Sequence, residues 1–478
     1  MLFNSYAFAI FLPIVFIIYW ILPHKFRWVL MLAASYYFYM SWNAKYIFLI
    51  FFTTVISYIA ARLLENEESK KKKKIILALT ALVCLGVLFF FKYFNFVSKS
   101  VADVLGLFAI RMSPITLKLL LPVGISFYTF QTLSYVIDVY KGEVQAEHHF
   151  GYYATFISFF PQLVAGPIER TGNLLPQIKS EHKFDYNQAT YGLKLMAWGF
   201  LKKLAIADVV SIYVDKVYAD LWSCSEIDLL SAIFFFTMQI YCDFSGYSDI
   251  AVGTAKLLGI DLISNFKSPY MSLSVKEFWS RWHISLSSWF KDYVYIPLGG
   301  NRVSKLRNYF NLLITFLVSG LWHGANWTYV IWGGIHGIAQ IAEKAFDLVD
   351  KGKNAKVTKF IKWIIVFTFC NIAWVFFRAD SLKDAIIVFY RMIGGASGVN
   401  IFTHQIINMP KEQWLIIFLL IGVLTIYDYL SLRVDVIQKV SEKPVILRWM
   451  LYVLLVVGTI FIHATMGAGN ETFVYFQF

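Results

Sequence analysis

Two histidines stand where an imidazole is unusual. His323 closes the apolar run F-N-L-L-I-T-F-L-V-S-G-L-W and is bracketed by Gly320 and Gly324. A helix starting near Tyr309 carries His323 about 14 residues in, about 21 Å along its axis. The hydrocarbon core of a bilayer is about 30 Å thick, so the ring falls deep in the membrane, where an ionisable group is a functional candidate by default. The flanking glycines would let a ligand approach the backbone closely, and Trp322, Asn326 and Trp327 surround the site in sequence. His283 lies in residues 275–293, where Trp279, Trp282, His283, Leu286 and Phe290 recur at three- and four-residue steps. That spacing predicts one helix over 275–293, with Glu277 and Arg281 paired four residues apart. Such a helix suits the membrane interface and can dip inward to carry His283 toward a cavity.

A neutral histidine takes the proton from a hydroxyl while that oxygen attacks an acyl carbonyl. The chain contains no G-x-S-x-G elbow, H-E-x-x-H helix or P-loop. The chemistry left is a general base acting directly on an acceptor hydroxyl, without a covalent serine intermediate. His336, in W-G-G-I-H-G-I-A, reads as helix packing or a polar contact between spans. Asp243 and Asp249, in Y-C-D-F-S-G-Y-S-D, adjoin apolar helix. Charge at that depth faces a cavity or a partner; alternatively both cap helix ends, with Gly246 breaking the helix.

The elements that must hold these residues are membrane spans. Of 478 residues, 58% are hydrophobic and 15% charged, against about 45–50% and about 25% in soluble chains. This excludes a disordered chain, a disulfide-stapled domain and a typical cytosolic enzyme. The four cysteines, Cys84, Cys224, Cys242 and Cys370, have no C-x-x-C spacing, and no metal or bound cofactor is expected. The net charge of +13 fits the positive-inside bias and anionic lipid rather than nucleic acid. The expected fold is an all-α polytopic membrane protein. Candidate spans are 6–22, 27–42, 46–64, 75–97, 117–138, 150–166, 189–206, 227–244, 309–325, 327–346, 357–377, 412–430 and 445–463. About eleven of these are expected to be true spans at the usual length, the others re-entrant or interfacial. No repeat is evident, and the chain reads as one integral-membrane domain: N-terminal helices 1–116, a core 117–346 and C-terminal helices 347–478.

Charge sets the orientation. E-N-E-E-S-K-K-K-K-K at 65–74 is a cytoplasmic loop. Counting back places the N-terminus outside, and Arg302, Lys305 and Arg307 mark a second cytoplasmic loop. Lys194, Lys202 and Lys203 read as cytoplasmic too.

Taken in order, six segments resemble the membrane-bound O-acyltransferase (MBOAT) family, and within it the bacterial alginate O-acetyltransferase branch. They are V-G-I-S-F-Y-T-F-Q (123–131), P-Q-L-V-A-G-P-I-E-R (161–170), Y-C-D-F-S-G-Y-S-D (241–249), E-F-W-S-R-W-H-I-S-L-S-S-W-F (277–290), Y-I-P-L-G-G-N-R (295–302) and G-L-W-H-G-A-N-W (320–327). The terminal V-Y-F-Q-F is similar to the end of that branch. The resemblance implies a bacterial plasma-membrane enzyme with catalytic histidines at His323 and His283. It implies acetyl-CoA as donor and, as acceptor, hydroxyls of a cell-surface polysaccharide, reached directly or through a partner acetyltransferase. His323 is then the general base. His283 orients donor or acceptor, or steadies the oxyanion if protonated. Glu277, Arg281, Trp282, Trp322, Asn326 and Asp243 are candidate substrate-binding residues, and Arg281 and Lys291 could meet the phosphates of CoA. D-alanyl or other acyl transfer to an envelope polymer is the nearest alternative. A polysaccharide or lipid transporter and an assembly scaffold are the readings from other classes.

Overall fold

The computed structural model describes residues 1–346, 356–394 and 409–466; the terminal V-Y-F-Q-F lies outside them. Every regular element among the described residues is helical. The chain forms two compact units, 1–193 with 251–263, and 194–250 with 264–478.

The first unit contains α1 (Tyr6–Ile21), α2 (His24–Asn43), α3 (Ile47–Asn66), α4 (Lys70–Leu88), α5 (Phe94–Leu107), α6 (Ile125–Lys141), α7 (Phe150–Ser158), α8 (Phe160–Leu163) and α9 (Thr171–Lys179). The span expected over 117–138 begins only at Ile125, because Gly124 sits in the left-handed region (φ 75°) and starts α6 there. The expected span 150–166 is broken between α7 and α8. Its freed backbone groups are satisfied by side chains, as a break at membrane depth requires. Gln131 and Gln162 both donate to the Phe156 carbonyl, at 2.9 and 2.8 Å. The Phe160 N–H donates to Ser35 Oγ at 3.0 Å. Two of the sequence motifs thus meet on one carbonyl. In the second motif segment, buried Glu169 accepts from Asn173 and from the Ile263 N–H, each at 2.6 Å.

The second unit takes the end of α10 (Tyr186–Phe200), α11 (Asp208–Ala219) and most of α12 (Glu226–Leu257). It continues with α13 (Val275–Arg281), α14 (Ile284–Phe290), α15 (Lys305–His323), α16 (Trp327–Ala345), α17 (Lys356–Arg378), α18 (Leu382–Gly394), α19 (Lys411–Ser431), α20 (Val436–Ser441) and α21 (Val445–Met466). Among the described residues, six segments are long and apolar enough to cross a membrane: His24–Asn66, Lys70–Leu107, Glu226–Leu257, Lys356–Arg378, Lys411–Ser431 and Val445–Met466. The first two each join successive helices end to end, so this number does not reproduce the eleven spans expected.

One sequence reading fails here for an identifiable reason. Gly246 does not break a helix; α12 runs through it. A Cβ on Gly199 would lie 2.7 Å from the Gly246 carbonyl oxygen, so the glycines let α10 and α12 approach backbone to backbone. Lys202 and Lys203, read from sequence as cytoplasmic, lie on the helical stretch between α10 and α11. Both are buried. Lys202 pairs with Asp249 at 2.6 Å, and Lys203 with Asp208 and Asp243 at 2.7 and 2.6 Å. Buried charge is tolerated when paired in this way. Tyr241 donates to both Asp428 oxygens close by, at 3.0 and 2.9 Å. Of the two readings of Asp243 and Asp249, the structure selects partners over helix caps.

Candidate active site

α15 begins at Lys305, is N-capped by Ser304, and has His323 as its last residue. Nineteen residues make a helix about 28 Å long, so the ring stands at the far end of α15 from the Arg302–Arg307 cations. Four residues later α16 starts, N-capped by Asn326, whose Oδ1 accepts from the Thr328 N–H at 3.1 Å. The hairpin is held by glycines. A Cβ on Gly320 would lie 2.2 Å from the Tyr329 carbonyl oxygen, and one on Gly333 2.2 Å from that of Phe316. A Cβ on Gly324 would strike the Tyr329 ring at 2.1 Å. The space beside Gly320 and Gly324 is therefore filled by α16, not kept open for a ligand. These glycines fix the position of His323 by close helix packing.

His283 sits in a break, not in a helix. The expected helix 275–293 divides into α13 and α14, and His283 between them adopts φ 44°, ψ 54°. A non-glycine residue in the left-handed region costs about 1–3 kcal/mol and persists only where its surroundings over-determine it. The segment 265–267 does so. The Lys267 N–H donates to the Arg281 carbonyl at 3.0 Å, and the Ile284 N–H to that of Asn265 at 2.9 Å. Asn265 Oδ1 also accepts from the N–H and hydroxyl of Ser285, at 3.2 and 2.6 Å. From the other side α16 clamps α13. Glu343 accepts from the Val275 and Lys276 N–H groups at 2.5 and 3.0 Å, and His336 Nδ1 accepts from Trp279 Nε1–H at 3.1 Å.

The outcome is a pair of imidazoles. The His283 and His323 ring centroids lie 6.3 Å apart, and their side chains are 0% and 5% exposed. Trp322 touches both rings, at 5.9 and 5.0 Å. Phe244 lies 4.6 Å from His283, while Trp332 and Phe377 lie 5.1 and 5.4 Å from His323. So apolar a shell disfavours the charged form of an imidazole, which weighs against a protonated His283.

A cavity of about 1200 Å³ reaches the sequence neighbours of the pair, though neither histidine lines it. Ile284, next to His283, and Ser319, one turn before His323, line it, as do Lys276, Lys291, Arg302 and Lys344. The turn Gly299–Gly300, with both residues at positive φ, is tied down by Asn308 Nδ2 and Asn311 Nδ2, which donate to the Gly300 carbonyl at 2.7 and 3.2 Å.

The other sequence candidates have structural partners. Glu277 caps α13, its N–H donating to Ser274 Oγ and its carboxylate accepting from the Leu273 N–H and Arg281. Arg281 is held by that pair and is not among the residues lining the cavity. Trp282 is buried among Phe278, Tyr241 and Trp374. Asp243 is committed to Lys203, and Asn326 to the α16 N-terminus and the Asp380 carbonyl. Sequence reasoning passed over Asn265, Glu343, Trp374 and Phe377. Only Asn265 had a signal, its place in the polar stretch N-F-K-S-P-Y.

Residues 143–382, which hold both histidines and the cavity, match the model of the MBOAT, membrane-bound O-acyltransferase family. The chain belongs to this family. It is a membrane O-acyltransferase: the family match carries the activity, and among the described residues six segments are long and apolar enough to cross a membrane. Among MBOAT relatives, a probable alginate O-acetylase AlgI of Pseudomonas aeruginosa is 41% identical over 390 residues, covering 80% of this chain and 73% of the relative. A peptidoglycan O-acetyltransferase of Helicobacter pylori is 36% identical over 433 residues, covering 82% and 80%. A teichoic acid D-alanyltransferase of Streptococcus thermophilus is 33% identical over 259 residues, covering 51% and 62%.

Proposed function

We propose that this MBOAT enzyme transfers acetyl groups from cytoplasmic acetyl-CoA to hydroxyls of a cell-envelope polysaccharide outside a bacterial plasma membrane. Delivery is direct or through a partner acetyltransferase that takes the acetyl group first. The observation that carries the reading is the His283–His323 pair, whose sequence neighbours line a cavity with four cationic side chains on its wall. Lys276, Lys291, Arg302 and Lys344 suit the phosphates of CoA. The thioester then points toward Ile284 and Ser319, the residues nearest the pair in sequence. His323 takes the proton of the acceptor hydroxyl as its oxygen attacks the acetyl carbon; the C–S bond breaks, and the proton leaves with the thiol. His283 orients donor or acceptor. The alginate and peptidoglycan O-acetylating relatives support acetyl as the group and a polysaccharide as the acceptor.

The test uses membrane vesicles carrying wild-type or His323→Ala protein at equal levels, supplied with labelled acetyl-CoA. Base-labile label is followed into polymer and into protein. The expected result is labelling by wild type and a loss of about 10²–10⁴-fold in the variant, the usual contribution of a general base. Equal labelling by both retires His323 as the base. Labelling from a D-alanyl donor instead of acetyl-CoA selects the alternative acyl group.

A further inference from the structure

Two polar atoms lie buried in the aromatic shell of His323 and have a donor's chemistry without an acceptor. Trp332 and His336 are both 0% exposed. Among the described residues, neither Trp332 Nε1 nor His336 Nε2 has a hydrogen-bond partner. An indole N–H can only donate, so the 3.1 Å bond from Trp279 Nε1 makes His336 Nδ1 an acceptor. The His336 ring is therefore neutral and carries its proton on Nε2. An unmet buried donor costs about 1–3 kcal/mol, and here two occur one helical turn apart on α16. Their rings are in contact, with centroids 5.0 Å apart. Trp332 in turn stands 5.1 Å from His323, and Trp279, bonded to His336, is part of the cavity wall. Contacts thus run from Trp279 on the cavity wall through His336 and Trp332 to His323.

Their surroundings suit this placement. Trp374 stacks on Trp332 at 5.5 Å and 22°, and Phe278 stacks on His336 at 6.1 Å and 9°. Both rings are held in orientation and water is kept away. Donors fixed in a water-excluded site are worth far more to a developing negative charge than donors in water.

We propose that Trp332 Nε1–H and His336 Nε2–H receive the acyl carbonyl oxygen of the donor. This rests on the acyl-transfer reading above. In the step itself the acceptor hydroxyl oxygen forms a bond to the carbonyl carbon while His323 takes the hydroxyl proton. The carbonyl π pair moves onto oxygen and is held by the two N–H groups. The intermediate then collapses, the C–S bond breaks, and the thiolate takes the proton from His323, giving ester and thiol. The paired donors assign His336 a second task beyond joining α13 to α16.

The experiment compares wild type, Trp332→Phe, His336→Phe and His336→Gln in membrane vesicles. Base-labile label is measured over a range of labelled acetyl-CoA concentrations, with thermal melting of each solubilised protein alongside. Trp332→Phe is expected to lower kcat about 10²-fold, the usual loss for one such donor, with KM nearly unchanged. His336→Phe is expected to fall similarly. His336→Gln, which can both accept from Trp279 and donate onward, recovers most of the rate. Wild-type kcat in Trp332→Phe and His336→Phe overturns the proposal, and so does a loss carried wholly by KM. If Trp332→Phe does not fold, the benzothienyl analogue at 332, with sulfur in place of the N–H, removes the donor and keeps the shape. His336→Gln as slow as His336→Phe, with lowered melting, overturns the donor role of His336 and leaves it a positioning residue. Absence of label with wild type sinks the acetyl-transfer reading and this inference with it; label with wild type and unchanged variants sinks this inference alone.

Discussion

The chain interrupts a buried helical path twice, and the two interruptions are built in opposite ways. Between α7 and α8 the loose ends are absorbed: Gln131 and Gln162 meet the Phe156 carbonyl, and Ser35 meets the Phe160 N–H. Between α13 and α14 the backbone is instead forced. His283 is bent into the left-handed region and held there by Asn265, while α16 grips α13 through Glu343 and His336. A break that only has to be buried is finished with amides and hydroxyls. A break that has to aim an imidazole tolerates strain and surrounds it with fixed partners.

That contrast is open to direct attack. The largest effect is expected at His283, where Ala and Gly variants should both lose about 10²-fold in turnover, within the range for proton-handling groups. His283→Gly should melt higher than His283→Ala, by about 1 kcal/mol, because glycine accepts positive φ without strain. Full turnover in His283→Gly would mean that only the bend matters. At the other break, Gln162→Leu should cost about 1–3 kcal/mol of stability and leave turnover per folded molecule within about twofold. A collapse of turnover at unchanged melting would erase the distinction between the two sites. The smallest effect concerns Glu169, beside the first break. Burial pushes its carboxyl up to about 7, against the Asn173 and Ile263 hydrogen bonds that favour the charged form. The folded protein therefore binds more protons there than the unfolded chain between the ordinary carboxylate range and about 7. Stability falls as pH rises through that window, by on the order of 2 kcal/mol, and levels off above it. Glu169→Gln should flatten that slope in melting curves taken from pH 5 to pH 8; an unchanged slope assigns it to another group.

Much of this was legible in the sequence because it rests on composition and order. Apolar runs located most helices within a few residues, and six short segments in sequence carried the family. The break at His283 was hidden because Trp279, Trp282, Leu286 and Phe290 keep a helical period across it, and periodicity does not report a residue turned to positive φ. The glycines beside His323 misled for a related reason. Glycine announces close approach, but not whether a ligand or another helix approaches. The ion pairs of Lys202 and Lys203 were not legible because their partners Asp249 and Asp243 lie some 40 residues away, beyond any local pattern. Trp374 and Phe377 could not be told from lipid-facing aromatics on α17, since burial against His323 depends on tertiary packing.

The paired lysines also constrain how the protein is made. The ribosome delivers α10 and α11 before α12, so Lys202 and Lys203 reach the insertion machinery ahead of Asp243 and Asp249. Lys203 has Asp208 within the same stretch and can be offset at once. Lys202 finds Asp249 only after α12 has emerged, and a buried ammonium is costly until it is paired. The three helices are therefore expected to pack as one charge-balanced parcel, with the close crossing at Gly199 and Gly246 as the seam along which they are joined.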